Sequence, residues 1–198
     1  MIEDPQDEYS LIPDLIPKSY ATILEDELEK RLPWYYTPSA SGDVKVDEND
    51  KLIVDTPQLH HIFLDSDGTT SPHFTLIQPM VWFLERYMKF EIKSLFRIKA
   101  NLLLAGNSTL DNYNIPHIDH PRDDHISMVY YVNNSDGDTR IFDKTITDGE
   151  PIGLNCIGQF EPSKGRSLVF KSNRFHCSAP PVKHKNRMVL NFVMQIAT

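Results

Sequence analysis

The sequence predicts a mainly β fold with flanking helices, of the sandwich, barrel or jelly-roll kind. Two observations carry that expectation. From Ser94 onward, eight short stretches read as strands, separated by Gly, Asn, Asp, Pro or Ser clusters such as SDGD, TDGEP, PSKG and APP. Before residue 92 the apolar residues recur at helical spacing instead, in two segments. The 198 residues are 40% hydrophobic and 24% charged, which suits one soluble domain with a sizeable core. We expect a single domain over 1–198, with 1–92 as an N-terminal extension and supporting helices and 93–198 as the β core.

Taken in order, residues 1–17 are acidic and dotted with Pro5, Pro13 and Pro17, and read as an extended lead-in. The stretch SYATILEDELEKRLP predicts the first helix, with Ser19 as N-cap, an apolar stripe of Tyr20, Ile23, Leu24, Leu28 and Leu32, and Pro33 as its stop. Residues 38–51 read as a loop with at most a short strand. A second helix is expected from about Pro79 to Phe90, with proline tolerated in the first turn. Its stripe of Met80, Phe83, Leu84, Tyr87 and Met88 suits core packing. The strands are SLFRIKANLLLAG, NIPHID, HISMVYYVNN, DTRIFD, IGLNCIGQFE, RSLVFK, FHCSA and RMVLNFVMQI. In the first of them, the two-residue period sets Arg97, Lys99 and Asn101 on one face. Facing inward they would touch substrate or support the site; facing outward they would be an ordinary charged edge.

Several function classes are disfavoured. The formal charge of −8 repels phosphate backbones, so nucleic acid is not an expected partner. No apolar run approaches the roughly 18 residues of a membrane span. The two cysteines, Cys156 and Cys177, are too few for a disulfide framework, and the acidic start MIEDPQDEYS is unlike a secretory signal. A cytoplasmic location is therefore expected.

Candidate chemistry centres on HID. On a strand, His117 and Asp119 point to the same face, so an imidazole and a carboxylate can meet one cation. The tripeptide alone is weak, because about one H-x-[DE] is expected by chance at this composition. Its bland reading is a strand-end histidine bonded to a turn aspartate. The segment FHCSAPP adds His176 from another strand, and Arg187 opens the last strand. Two histidines and one carboxylate make a facial triad that leaves adjacent positions for a bidentate co-substrate and O2. A carboxylate ligand favours Fe(II) or Mn(II) over a thiolate-type zinc site. A guanidinium nearby would grip the far end of a dicarboxylate.

The pieces PHIDHP, MVYYVNNSDGDTRIF, PSKGRSLVFKSNRFHCSAPP and RMVLNF, in this order, resemble the 2-oxoglutarate/Fe(II)-dependent oxygenase superfamily. The likeness is to its prolyl-4-hydroxylase-like branch, and also to small hydroxylases inferred in bacteriophage genomes, which would place the protein in a host cytoplasm. Upstream, FRIKANLL resembles the strand that precedes the metal motif. The resemblance implies a double-stranded β-helix (jelly roll) and a dioxygenase that uses Fe(II), 2-oxoglutarate and O2 to hydroxylate a C–H bond. It implies His117, Asp119 and His176 as metal ligands, and Arg187 as partner of the 2-oxoglutarate C5 carboxylate. Tyr131 lies where relatives place a tyrosine on that carboxylate, and Ser127 is a further candidate contact to the co-substrate, with a solvent-facing hydroxyl as its plain alternative. The segment 137–142 departs from the usual GGxT by reading GDT. Related halogenases carry a small residue in place of the acidic ligand, so Asp119 points to hydroxylation. The likeness suggests a prolyl residue of a peptide or protein, or a free amino acid, as substrate.

Other candidates carry less. His120 and His125 sit in a turn with Asp123 and Asp124, and His60, His61, His73 and His184 have no acidic residue two positions on. Cys177 follows the distal histidine and should point away as a small buried hydrophobe. Lys183 and Lys185 are alternatives to Arg187. Two other function classes stay open here: a non-catalytic jelly-roll metal-binding module, and a cupin-type metalloenzyme that does not use 2-oxoglutarate. Substrate choice would lie in the loops 38–51, 64–73, 120–125 and 143–153.

Overall fold

The computed structural model describes residues 9–41, 45–46, 52–53, 55–106 and 113–197. The N-terminal part contains β1 (Tyr9–Ile12), α1 (Lys18–Lys30), β2 (Tyr35–Thr37), β3 (Lys45–Val46), β4 (Leu52–Ile53), β5 (Gln58–Leu64), α2 (Phe74–Ile77) and α3 (Pro79–Met88). The β core follows as β6 (Ile92–Leu104), β7 (His125–Tyr131), β8 (Thr139–Thr145), β9 (Cys156–Phe160), β10 (Ser167–Lys171), β11 (Arg174–Ser178) and β12 (Asn186–Ile196).

A seven-stranded antiparallel sheet has the order β1-β10-β7-β12-β6-β5-β2, and a smaller sheet the order β11-β8-β9. An antiparallel bridge between His117 and His176 adds the HID segment beside β11. Four strands of the large sheet (β10, β7, β12, β6) thus face four of the small one (the HID segment, β11, β8, β9). Successive strands pass from one sheet to the other except at β8 and β9, which pair within the small sheet, and this is the jelly-roll winding. The eight strands read from the sequence are these eight.

Strand alternation sorts the large sheet into two chemically different faces. Ile98, Ala100 and Leu102 of β6, Ile126, Met128 and Tyr130 of β7, and Met188, Leu190, Phe192 and Met194 of β12 pack with Leu24 and Leu28 of α1 and Met80 and Leu84 of α3. These helix residues are fully buried, each contributing about 1.5–3 kcal/mol by its removal from water. The opposite face holds Val129, Tyr131 and Val189, which join Ile141 and Phe160 of the small sheet in a second core. It also carries the polar residues of β6 and β12. The helices cover the apolar outside of the large sheet, so the polar face is free to line the space between the sheets.

Several boundaries differ from expectation. Ser19 does not cap α1; the helix starts at Lys18 after Pro17, whose extended backbone (ψ 142°) ends the lead-in, and no side chain caps it. Ile23 is 56% exposed, because Ala21, Leu24 and Leu28 form the buried face. The second helix stops at Met88, where Lys89 turns left-handed (φ 58°). Its Phe83 and Tyr87 lie toward solvent while Val81 is buried. The strands β1, β2 and β5 were not expected. The lead-in pairs with β10 as β1, though residues 1–8 lie outside the described residues, as does part of the 38–51 loop.

Candidate metal centre

The backbone bridge builds the site. His117 N–H donates to the His176 carbonyl at 3.0 Å and His176 N–H to the His117 carbonyl at 2.9 Å. Such a paired register sends both side chains to the same side of the sheet. The ring centroids lie 4.6 Å apart. Asp119, two residues on, points the same way, while Ile118 packs outside near Phe142, Phe175 and Cys177. Ligand atoms of His117, Asp119 and His176 all lie within 4.8 Å of one another. Among the described residues they form the one such group of His, Cys, Asp and Glu.

Each donor is set by a neighbour. His117 Nδ1 lies 3.1 Å from the Ile115 carbonyl and His176 Nδ1 lies 3.0 Å from the Arg174 carbonyl. A carbonyl only accepts, so each Nδ1 carries the hydrogen and each Nε2 keeps its lone pair for a metal. Burial, and then the charge of His176, push the His117 imidazole down to about 4, so it is neutral at physiological pH. Asp119 accepts from Arg97 Nη2 at 3.0 Å on Oδ1, from Ser127 Oγ at 2.6 Å on Oδ2, and from Asn191 Nδ2 at 3.2 Å. Burial opposes its ionisation, but His176, Arg97 and His117, with the Ser127 bond, hold the carboxyl well below the usual carboxylate range. Ser172 meets Ser127 at 2.9 Å and completes the chain of hydroxyls.

Arg187 lines the same cavity as the three donors. It is buried, and burial lowers its tendency to stay charged. Its Nε donates to the Gly137 carbonyl at 2.7 Å and its Nη2 to Thr139 Oγ1 at 2.8 Å. Tyr131 OH donates to the same Thr139 oxygen at 2.9 Å. With both lone pairs of Thr139 engaged, its own O–H is left to donate, and Thr139 lines the cavity. A Cβ on Gly137 would come within 2.5 Å of the Ala179 carbonyl and 3.0 Å of Arg187 Cδ, so only glycine fits beside the guanidinium.

The sequence-chosen residues therefore fall close together. His117, Asp119, His176 and Arg187 line one cavity. Tyr131 reaches it through Thr139, and Ser127 lies against Asp119. Lys183 and Lys185 are exposed, which leaves Arg187 as the buried cation of that segment. Arg97, Lys99 and Asn101 face inward: Arg97 pairs with Asp119, and the other two line the cavity. Burial, then repulsion from Arg97, push the Lys99 ammonium down to about 8. The other histidines have structural partners. His120 stacks on His125 at 3.7 Å, His61 meets the Pro33 carbonyl and Ser71, His60 meets Thr37, and His184 meets Asp136. Sequence reading missed Asn191 and Thr139. Both stood in quoted pieces (RMVLNF, GDT), and Asn191 shares a strand face with Arg187 at a spacing of four.

A family model of the 2OG-Fe(II) oxygenase superfamily matches residues 107–195. No curated protein sequence matches the chain. Many solved structures share its fold, among them the following three. A 2OG-Fe(II) oxygenase family oxidoreductase from Burkholderia pseudomallei superposes with a TM-score of 0.65 at 16% identity, over 96% of this chain and 86% of the other. A Pseudomonas putida prolyl-4-hydroxylase gives 0.54 at 15% identity, over 96% and 93%. A Trichoplax adhaerens prolyl hydroxylase, in complex with a hypoxia inducible factor oxygen degradation domain peptide fragment, gives 0.57 at 13% identity, over 96% and 84%.

Proposed function

We propose that the chain is a hydroxylase of the 2OG-Fe(II) oxygenase superfamily, with Fe(II) held by His117, Asp119 and His176 and with 2-oxoglutarate and O2 as co-substrates. The observation that supports this assignment best is the convergence of three donors, two imidazoles and one carboxylate, in the cavity that also holds Arg187. Their chemistry fits a divalent iron: the imidazoles have Nε2 free and the carboxylate stays ionised. Bound there, the metal with its co-substrate and O2 supplies an oxidant able to replace a C–H hydrogen by hydroxyl.

The chain's own residues do the rest. Arg187 offers its fork to the C5 carboxylate of 2-oxoglutarate, pre-set by its bonds to Gly137 and Thr139. Thr139 donates its hydroxyl to the same carboxylate, and Tyr131 holds Thr139 in that orientation. Arg97, Ser127 and Asn191 fix the carboxylate plane of Asp119. A carboxylate ligand, where a halogenase has a small residue, favours hydroxylation. The substrate in this reading is a prolyl residue or a free amino acid, taken by a single cytoplasmic domain whose first 92 residues support the β core. No described helix is long and apolar enough to cross a membrane.

The test is turnover. Iron-loaded protein given 2-oxoglutarate and O2 with candidate substrates should release succinate and CO2. Arg187→Ala should raise the 2-oxoglutarate dissociation constant by the equivalent of about 2–5 kcal/mol, the cost of truncating one side of a buried charged pair. Folded, iron-loaded protein that forms no succinate would instead indicate a metal-binding module. Unchanged co-substrate affinity in Arg187→Ala would indicate a metalloenzyme of cupin type.

A further inference from the structure

Lys99 is the charged side chain of the cavity wall to which no role has been given. It lines the cavity on the inner face of β6 and makes no hydrogen bond or ion pair with any described residue. In register it stands opposite Asn191, whereas Arg187 stands opposite Leu103. Lys99 therefore belongs to the row of the metal ligands, not to the row of the co-substrate's far end. Asp119 is the sole acidic residue among the described residues of the cavity wall, and Arg97 already matches it. With Fe(II), the 2-oxoglutarate dianion, Asp119, Arg97 and Arg187 counted together the site already carries one positive charge in excess, so the ammonium has no counter-charge of its own.

Two acceptors beside it are also unmatched. Asn101 Oδ1 and Asn191 Oδ1 are buried without a hydrogen-bond partner. Asn191 commits its Nδ2 to Asp119, which fixes the direction of its amide oxygen. Asn101 lies two residues from Lys99 on the same strand face. Buried groups left unpaired are costly, and a ligand that pairs them is selected over one that does not. A cation flanked by two carbonyl oxygens is the complement of a carboxylate that carries an N–H donor nearby.

Resting on the function proposed above, we infer that Lys99, Asn101 and Asn191 form the primary-substrate subsite and that its ligand is a free α-amino acid. Lys99 takes the α-carboxylate, and the amide oxygens accept from the amino group. A residue inside a peptide lacks the carboxylate and leaves Lys99 unpaired. A plain dicarboxylate lacks the N–H and leaves the oxygens unpaired.

The experiment starts anaerobically with Fe(II)-loaded protein. Titration with 2-oxoglutarate reads co-substrate binding through the visible charge-transfer band. Absence of the band refutes the underlying oxygenase assignment, not the subsite alone. With the band formed, the protein amino acids and their carboxamides are added one at a time. A band shift reports binding, and succinate release on admitting air reports turnover. At least one free amino acid should shift the band and stimulate succinate, and its carboxamide should do neither. Lys99→Met should weaken that amino acid by more than ~10-fold while the 2-oxoglutarate affinity changes by less than ~3-fold, and Lys99→Arg should restore most of the loss. Three results overturn the inference: a normal band that no amino acid shifts, carboxamides that bind as well as the acids, or a loss of 2-oxoglutarate affinity in Lys99→Met of ~10-fold or more.

Discussion

Ser127 shows how one hydroxyl can orient a candidate metal ligand from behind. Its Oγ donates to Asp119 at 2.6 Å, with Arg97 and Asn191 donating to the same carboxylate. Three donors from three strands leave the carboxylate little freedom to rotate. Partners of this kind are worth about 10–100-fold in metal affinity. Ser127→Ala should therefore weaken Mn(II) or Fe(II) binding by about that factor, measured by titration at neutral pH; unaltered affinity would mean that the carboxylate is held by other means. The candidate ligands His117, Asp119 and His176 were singled out because strand alternation projects i and i+2 together and because the ordered pieces around them resemble a known family. Asn191 was not, because an amide in an apolar strand carries no chemical signature until its partner is known.

At the scale of elements, the turn from β7 to β8 positions the guanidinium. Gly137 sits against the Ala179 carbonyl and Arg187 Cδ with no room for a methyl group. Gly137→Ala should destabilise the fold by about 1–3 kcal/mol through overpacking. It should also weaken 2-oxoglutarate binding, which a thermal melt and a co-substrate titration measure separately. Loss of stability with intact co-substrate affinity would show that the turn and the guanidinium are uncoupled. Next to it, Asp136 accepts the backbone N–H groups of Lys183 at 2.7 Å and His184 at 3.1 Å, tying down the segment that enters β12. Partial burial works against its ionisation, but the Lys183 and His184 donors hold the carboxyl down to about 2. A depressed folded value means stabilisation that is full above the ordinary carboxylate range and lost as pH falls from about 4 toward 2. The melting temperature of Asp136→Asn should lie below the parent's at pH 6, and the gap should close in acid. A gap constant from pH 6 to pH 2.5 would contradict this role.

For the whole molecule, the informative feature is which face of the large sheet is polar. Alternation in RIKAN and RMVLNF is plain in the sequence, but it does not say which side is inside. In a two-layer sandwich the apolar face would be the inner one. Here α1 and α3 cover the apolar face, so Arg97, Lys99, Asn101 and Asn191 turn toward the other sheet. That third layer decides the orientation, and it forms only once the helices dock. The helices themselves were legible from periodicity, while β5 was hidden because QLHHIFL sets two histidines side by side and blurs the alternation. The eight core strands were legible because turn residues punctuate them. The candidate ligands converge because the β11 pairing joins segments far apart in sequence, a contact that pattern alone does not give.

The most direct measurement is an anaerobic titration of the purified protein with Fe(II) and then 2-oxoglutarate, followed in the visible spectrum. A charge-transfer band should grow to one equivalent of each. It should require far more Fe(II) in Asp119→Ala and His176→Ala, and far more 2-oxoglutarate in Arg187→Ala. A parent protein that binds Fe(II) yet gives no band at saturating 2-oxoglutarate, or Asp119→Ala and His176→Ala variants with unchanged Fe(II) affinity, would contradict the assignment of the three ligands and the arginine to one oxygenase site.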